Sequence, residues 1–196
     1  MNQSALVALL CTCLALLPAG ARAHRLGRPL VPQNLEVASE HKPFLVGFAI
    51  GTQNYVCLPA TNTPFAWTPT GPQATLFGDF DEQLTTHFLS PNPDEAGTAR
   101  ATWQHSRDTS AVWAQAIETS SDPTFVEQGA IAWLLLRVVG SESGPNGGRR
   151  LSEATYIQRV HTSGGVAPAT GCAQADNVGA RAFVPYTTDY YFYKAR

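Results

Sequence analysis

Ala101-Thr102-Trp103-Gln104-His105-Ser106-Arg107-Asp108-Thr109-Ser110-Ala111-Val112-Trp113-Ala114-Gln115 is the stretch that decides the fold class. Two runs of apolar, aromatic and β-branched residues flank five polar ones. That pattern predicts an antiparallel hairpin. In a suitable register Trp103 and Trp113 become cross-strand neighbours. Asp108 reads as a turn residue whose carboxylate bonds nearby backbone amides.

The same punctuation recurs on both sides. Residues 44–50, 53–58, 65–69, 73–77 and 84–89 are short strand-like runs. Pro43, Gly51 and Pro59 divide the first of them, Thr70-Gly71-Pro72 reads as a turn, and Ser90-Pro91-Asn92-Pro93 stops the last. Tyr55 and Cys57 share one face of their strand. Residues 131–139 form an apolar run unrelieved until Arg137, either a strand covered on both sides or a short buried helix. After a turn cluster around Pro145-Asn146-Gly147-Gly148, strands are expected at 154–162 and at the aromatic 183–193. The expected fold is therefore all-β: an antiparallel barrel or sandwich of about eight or nine strands with few or no helices. A barrel would remove the exposed edges that such aromatic strands otherwise present.

The N-terminus has a separate character. Residues 5–17 are apolar apart from Thr12, Pro18 and Gly20 break the run, and Ala21-Arg22-Ala23 supplies a small-x-small cleavage pattern. Residues 1–23 are thus expected to be a signal peptide, although no Lys or Arg precedes the apolar run. That run is shorter than the roughly 20 residues of a membrane-spanning helix. Residues 24–34, with Pro29 and Pro32, read as an extended, poorly ordered leader, and 35–196 as one β-rich domain. Cleavage leaves twelve Lys and Arg against fifteen Asp and Glu, with no basic tract. Nucleic acid is not an expected partner, nor is a membrane after cleavage. The expected location is extracellular, or periplasmic in a Gram-negative host. The oligomeric state is left open. Cys57 and Cys172 then form an even pair in an oxidising setting and are expected to bridge.

Five motifs carry a resemblance. They are Gln53-Asn54-Tyr55-Val56-Cys57, Ala132-Trp133-Leu134-Leu135-Leu136, Tyr156-Ile157-Gln158-Arg159-Val160-His161-Thr162-Ser163-Gly164-Gly165, Gly171-Cys172, and Pro185-Tyr186-Thr187-Thr188-Asp189-Tyr190-Tyr191-Phe192-Tyr193. In this order they resemble DUF3455, a family of secreted bacterial and fungal proteins of unknown function, over roughly residues 35–194. The familiar form often has Asn at the position of His161 and Ala at that of Thr188. The resemblance implies an extracytoplasmic β-rich domain with the two cysteines paired, and it implies no catalytic residues. Some relatives carry a dehydrogenase-like label, but this chain has no G-x-G-x-x-G after a strand and no βαβ pattern.

The remaining residues offer several candidates for chemistry. His87, His105 and His161 sit on or at the ends of strands, and converging imidazoles would make a metalloenzyme or hydrolase. There is no H-x-H pair, H-E-x-x-H or G-x-S-x-G elbow. Ser106, His105 and Asp108 are adjacent in sequence, which is not triad geometry. The carboxylates Asp79, Asp81, Glu82, Asp94 and Glu95 fall in polar loops. No cofactor is called for. Gln158 and Arg159 alternate on a strand, so one of them points inward. An inward Arg159 needs a carboxylate, for which Asp189 is the candidate, or a ligand anion. The favoured reading is a non-enzymatic module that binds a small molecule, a glycan or a cell-wall component, using His87, Trp103, His105, Tyr156 and Arg159. The alternatives are an enzyme built on the three histidines and a structural surface protein.

Overall fold

The structure is a computed structural model that describes residues 26–196. The expected signal peptide and His24 lie outside the described residues. The chain forms eight antiparallel strands in sequence order, closed into a barrel when the last pairs with the first. They are β1 (His41–Pro59), β2 (Phe65–Phe77), β3 (Gln83–Asn92), β4 (Thr98–His105), β5 (Ala111–Ser120), β6 (Trp133–Glu142), β7 (Tyr156–Gly164) and β8 (Arg181–Ala195). Short 3-10 turns occur at Gln33–Leu35, Pro93–Glu95 and Ala175–Asn177, with no α-helix among the described residues. Closure pairs the aromatic β8 along both sides, from His41↔Ala195 to Val56↔Arg181 with β1 and from Tyr156↔Tyr193 to Gly164↔Tyr186 with β7.

Two expected turns are absent, which reduces the strand count to eight. The runs 44–50 and 53–58 are one strand, and so are 65–69 and 73–77. Gly51 does not turn the chain. It lets β1 approach β2 so closely that a Cβ there would lie 2.1 Å from the Gln73 carbonyl oxygen. The bend falls further along, at a register shift between Asn54 and Tyr55 opposite Pro69 and Gly71.

Alternation along the strands builds two cores. One face fills the barrel with Leu45, Ala49, Leu76, Trp103, Val112, Leu136, Ile157, Tyr190 and Phe192. The other, outside it, carries Val46, Trp133, Leu135, Val160, Tyr191 and Tyr193. The apolar β6 is the covered strand, not the helix: Leu134 and Leu136 face in, Trp133 and Leu135 face out.

The outer face is covered by the first residues of the expected domain, with Val31 of the expected leader partly buried beside them. Leu35 is fully buried there, with Val37 and, from the β5–β6 connection, Val126. Arg28 donates to the carbonyls of Val37, Ala38 and His41 and lies over the Tyr193 ring. Gln158 points to this outer core, where its amide donates to the Leu35 carbonyl and accepts the Tyr193 hydroxyl, both at 2.6 Å.

The Trp103–Trp113 pairing is corrected by one residue of register. Trp103 opposes Val112, and Trp113 opposes Thr102. The two indoles therefore lie on opposite faces of the sheet, with Trp113 Nε1 donating to Ser90 Oγ at 2.8 Å. Cys57 and Cys172 are bridged, with Cα atoms 5.5 Å apart. The bridge ties β1 to the β7–β8 connection, which Trp67 Nε1 also holds through the Thr170 carbonyl.

Candidate functional site

One stretch of β2 opens the barrel wall. Pairing between β2 and β3 runs from Phe77↔Gln83 only to Ala74↔His87. Beyond it β2 reads Pro69-Thr70-Gly71-Pro72, and the two prolines have no N–H to donate to a ladder. Gly71 holds φ +107, and a Cβ there would strike the Leu89 side chain at 2.5 Å. The two strands part at this seam, and a cavity of about 250 Å³ lies behind it in the barrel interior. Gln53, Pro69, Gly71, Pro72 and Leu89 line its mouth side, and His87, Trp103, Leu134, Leu136, Arg159 and Tyr190 its inner walls.

The inner wall is aromatic and flat. The His87 ring stacks on Trp103 at 4.0 Å and 9°, and Tyr190 meets both edge-on at 5.1 and 5.2 Å. His87 Nδ1 lies 2.9 Å from the Thr102 carbonyl, which can only accept, so this nitrogen carries the proton. Burial pushes the His87 pKa down to about 3. The ring is a neutral wall element at ordinary pH and a poor general base.

Arg159 is the charged group of the site. Its Nε and Nη2 donate to the Ala132 carbonyl at 3.2 and 2.7 Å. The partner expected for it is not there: Asp189 sits on the opposite face of the sheet and engages His161 Nδ1 at 2.9 Å. No ion pair joins Arg159 to a carboxylate among the described residues, and no Asp or Glu lines the cavity. The hydroxyl of Tyr190 lies against the guanidinium, and burial holds the pKa values of Tyr190 and Tyr186 above the usual tyrosine value. The Trp103 Nε1 and the Tyr186 hydroxyl are buried without a well-formed hydrogen bond.

Of the residues singled out from sequence, His87, Trp103 and Arg159 come together. His105 and Tyr156 do not join them. His105 ends β4 beside the Asp108 carboxylate, 3.0 Å away, in the β4–β5 turn. That carboxylate also accepts from Ser110 N and Oγ and from Arg150 N. These bonds outweigh burial and hold its pKa at about 2. The hydroxyl that bonds the aspartate is that of Ser110, and His105 Nδ1 accepts from the Asp108 N–H; no hydrogen bond from Ser106 to His105 is found among the described residues, so the cluster is a turn lock and not a triad. Tyr156 lies on the outer face, edge-on to His41 at 5.0 Å. Nor do the three histidines converge: His87 is inside, His105 is in the turn, and His161 is outside, edge-on to Trp133 at 5.2 Å. Among the described residues no group of three or more His, Cys, Asp or Glu is placed to hold a metal ion. The residues missed from sequence are Pro69, Gly71 and Pro72, whose signal was two prolines inside a β-forming run, and Tyr190, one aromatic among many on β8.

A family model described as protein of unknown function (DUF3455) matches residues 38–194. No curated protein and no solved structure matches the chain.

Proposed function

The chain belongs to the DUF3455 family, and we propose that its barrel is a secreted, non-enzymatic container for one small molecule. The observation that carries this reading is the cavity of about 250 Å³ behind the β2–β3 seam. Small eight-stranded barrels have an interior that side chains either fill or leave open for one small ligand. Here side chains fill part of it, and the remainder is a mostly apolar space with a few polar groups, the usual make-up of a binding pocket. The low pKa of His87 argues against acid–base chemistry in that space. A small molecule is favoured over a glycan because Trp103, Trp113 and Trp133 are buried, which leaves Trp67 alone partly exposed and no row of tryptophans for sugars to stack on. An extracellular workplace suits the disulfide.

The test fills the cavity. Ala101 lies in its wall, and Ala101→Phe places a ring in the space. Mass spectrometry of protein secreted from its native host, sprayed under non-denaturing conditions, should find a bound small molecule on the wild type and none on the variant. Equal occupancy of both, or none on the wild type at saturating concentrations of a broad small-molecule library, would refute the container.

A further inference from the structure

We propose that the ligand is a small aromatic monoanion, a single ring bearing a carboxylate, with the carboxylate set against Arg159. This inference rests on the container reading above and names the class of molecule contained.

The first argument is charge. Arg159 reaches the cavity wall with only neutral acceptors beside it, the Ala132 carbonyl and the Tyr190 hydroxyl. The groups that sense it are His87, Tyr55, Tyr186 and Tyr190, all neutral in their ordinary forms. A guanidinium half-buried at a cavity wall is a ready partner for an anion, and the cavity lining supplies no carboxylate. Asp189 is turned away by strand alternation: it opposes Val160, and Arg159 opposes Tyr190. A planar guanidinium suits a carboxylate because both are flat and can share two hydrogen bonds.

The second argument is hydrogen-bonding sense. The Trp103 indole N–H can only donate, and it has no acceptor. The Arg159 guanidinium on the same wall likewise carries donors alone. A buried donor left unmet is costly, so a ligand that meets it gains affinity. The site is thus rich in donors and poor in acceptors, which favours a ligand group that accepts only. An ionised carboxylate is such a group. An ammonium would add donors beside a cation.

The third argument is shape. The wall is a flat pair of stacked rings with a third edge-on, and Pro69 and Pro72 line the mouth. A cavity of roughly 150 Å³ holds a benzene ring. The space here, about 250 Å³, takes one ring with a carboxylate and little more.

The experiment is calorimetric titration of the disulfide-bonded secreted protein with three probes of one size: sodium benzoate, benzyl alcohol and benzylamine. Benzoate should bind at least about tenfold tighter than benzyl alcohol, with benzylamine weakest. Arg159→Gln should bring benzoate to the level of the alcohol and leave the alcohol within about twofold. Trp103→Phe, which keeps the ring and removes the donor, should weaken benzoate several-fold and the alcohol less. Should Arg159→Gln fail to fold, Arg159→Lys keeps the charge and loses the fork, and its benzoate preference should fall between wild type and none. Equal binding of benzoate and benzyl alcohol by the wild type overturns the anion and leaves the container standing. Absence of binding by all three probes, with no effect on thermal stability, overturns the anion together with a container for single rings.

Discussion

His87 shows how burial sets the character of a single residue. Its pKa falls from near 6.5 to about 3 because the charged ring would lose its hydration inside the barrel. The unfolded chain therefore binds a proton near pH 6.5 that the folded chain refuses until about pH 3. Folding stability from this residue is fully present above pH 6.5 and is lost as the pH falls from there toward 3. The loss should be on the order of a few kcal/mol. Urea denaturation between pH 7 and 4.5 should show this slope in the wild type and a flatter one in His87→Phe, which keeps the stack on Trp103. Below about pH 4, Asp108 and Glu95, both held at about 2, add the ordinary carboxylate loss. His161 illustrates a backbone constraint. It has φ +52 at the register shift in β7. Asn tolerates that left-handed conformation better than most residues. His161→Asn should leave the melting temperature nearly unchanged. His161→Val, branched at Cβ, should cost about 1–2 kcal/mol in chemical denaturation.

Among the elements, β8 and the connection before it are held by different means. A bridge between residues 115 apart invites the view that it clamps the closing strand, so that reduction loosens β8 first. The pairing argues otherwise. β8 is hydrogen-bonded to β1 and β7 along most of its length, and it needs no sulfur to stay in place. Cys172 lies in the 165–180 connection, whose other ties sit mostly at its two ends: Tyr55, Pro185 and Ala130 to Gly165, Cys57 to Gly179 and Ala180, and between them Trp67 to Thr170. Cys57→Ala with Cys172→Ala should speed amide hydrogen exchange first in 166–178, with β8 among the last to exchange. Early exchange of β8 would restore the strand-clamp view. The seam is the other element-scale lesson. Pro69, Gly71 and Pro72 were legible as ladder breakers, but a breaker inside a strand looks like a turn until its neighbours are known.

For the whole molecule, the barrel is half the architecture and the outer core is the other half. Leu35 anchors the N-terminal strap on the outside of β7 and β8, fully buried although it lies before the first strand. Leu35→Ala should cost about 2–5 kcal/mol, the range for emptying a buried leucine site. The same variant should leave probe binding in the interior cavity nearly unchanged, because the sheet separates the two cores. A loss of binding as large as the loss of stability would mean that the strap supports the cavity.

The sequence alone determined what depends on local chemistry. Alternating apolar and β-branched residues made the chain all-β, the Gly, Pro and Asp clusters set most of the connections, and two cysteines remained to pair. The five motifs also placed it with its family. It named His87, Trp103 and Arg159 because aromatic and charged residues on strands are conspicuous. Only the tertiary structure decided which face each residue takes, because a strand repeats every two residues and one step of register reverses every side chain. That step separated Trp103 from Trp113, put Tyr156 outside and Arg159 inside, and gave Asp189 to His161. Whether 69–72 was a turn or an opening was likewise a tertiary matter. The prolines removed the donors, but the neighbouring strand and barrel closure turned the missing ladder into a mouth.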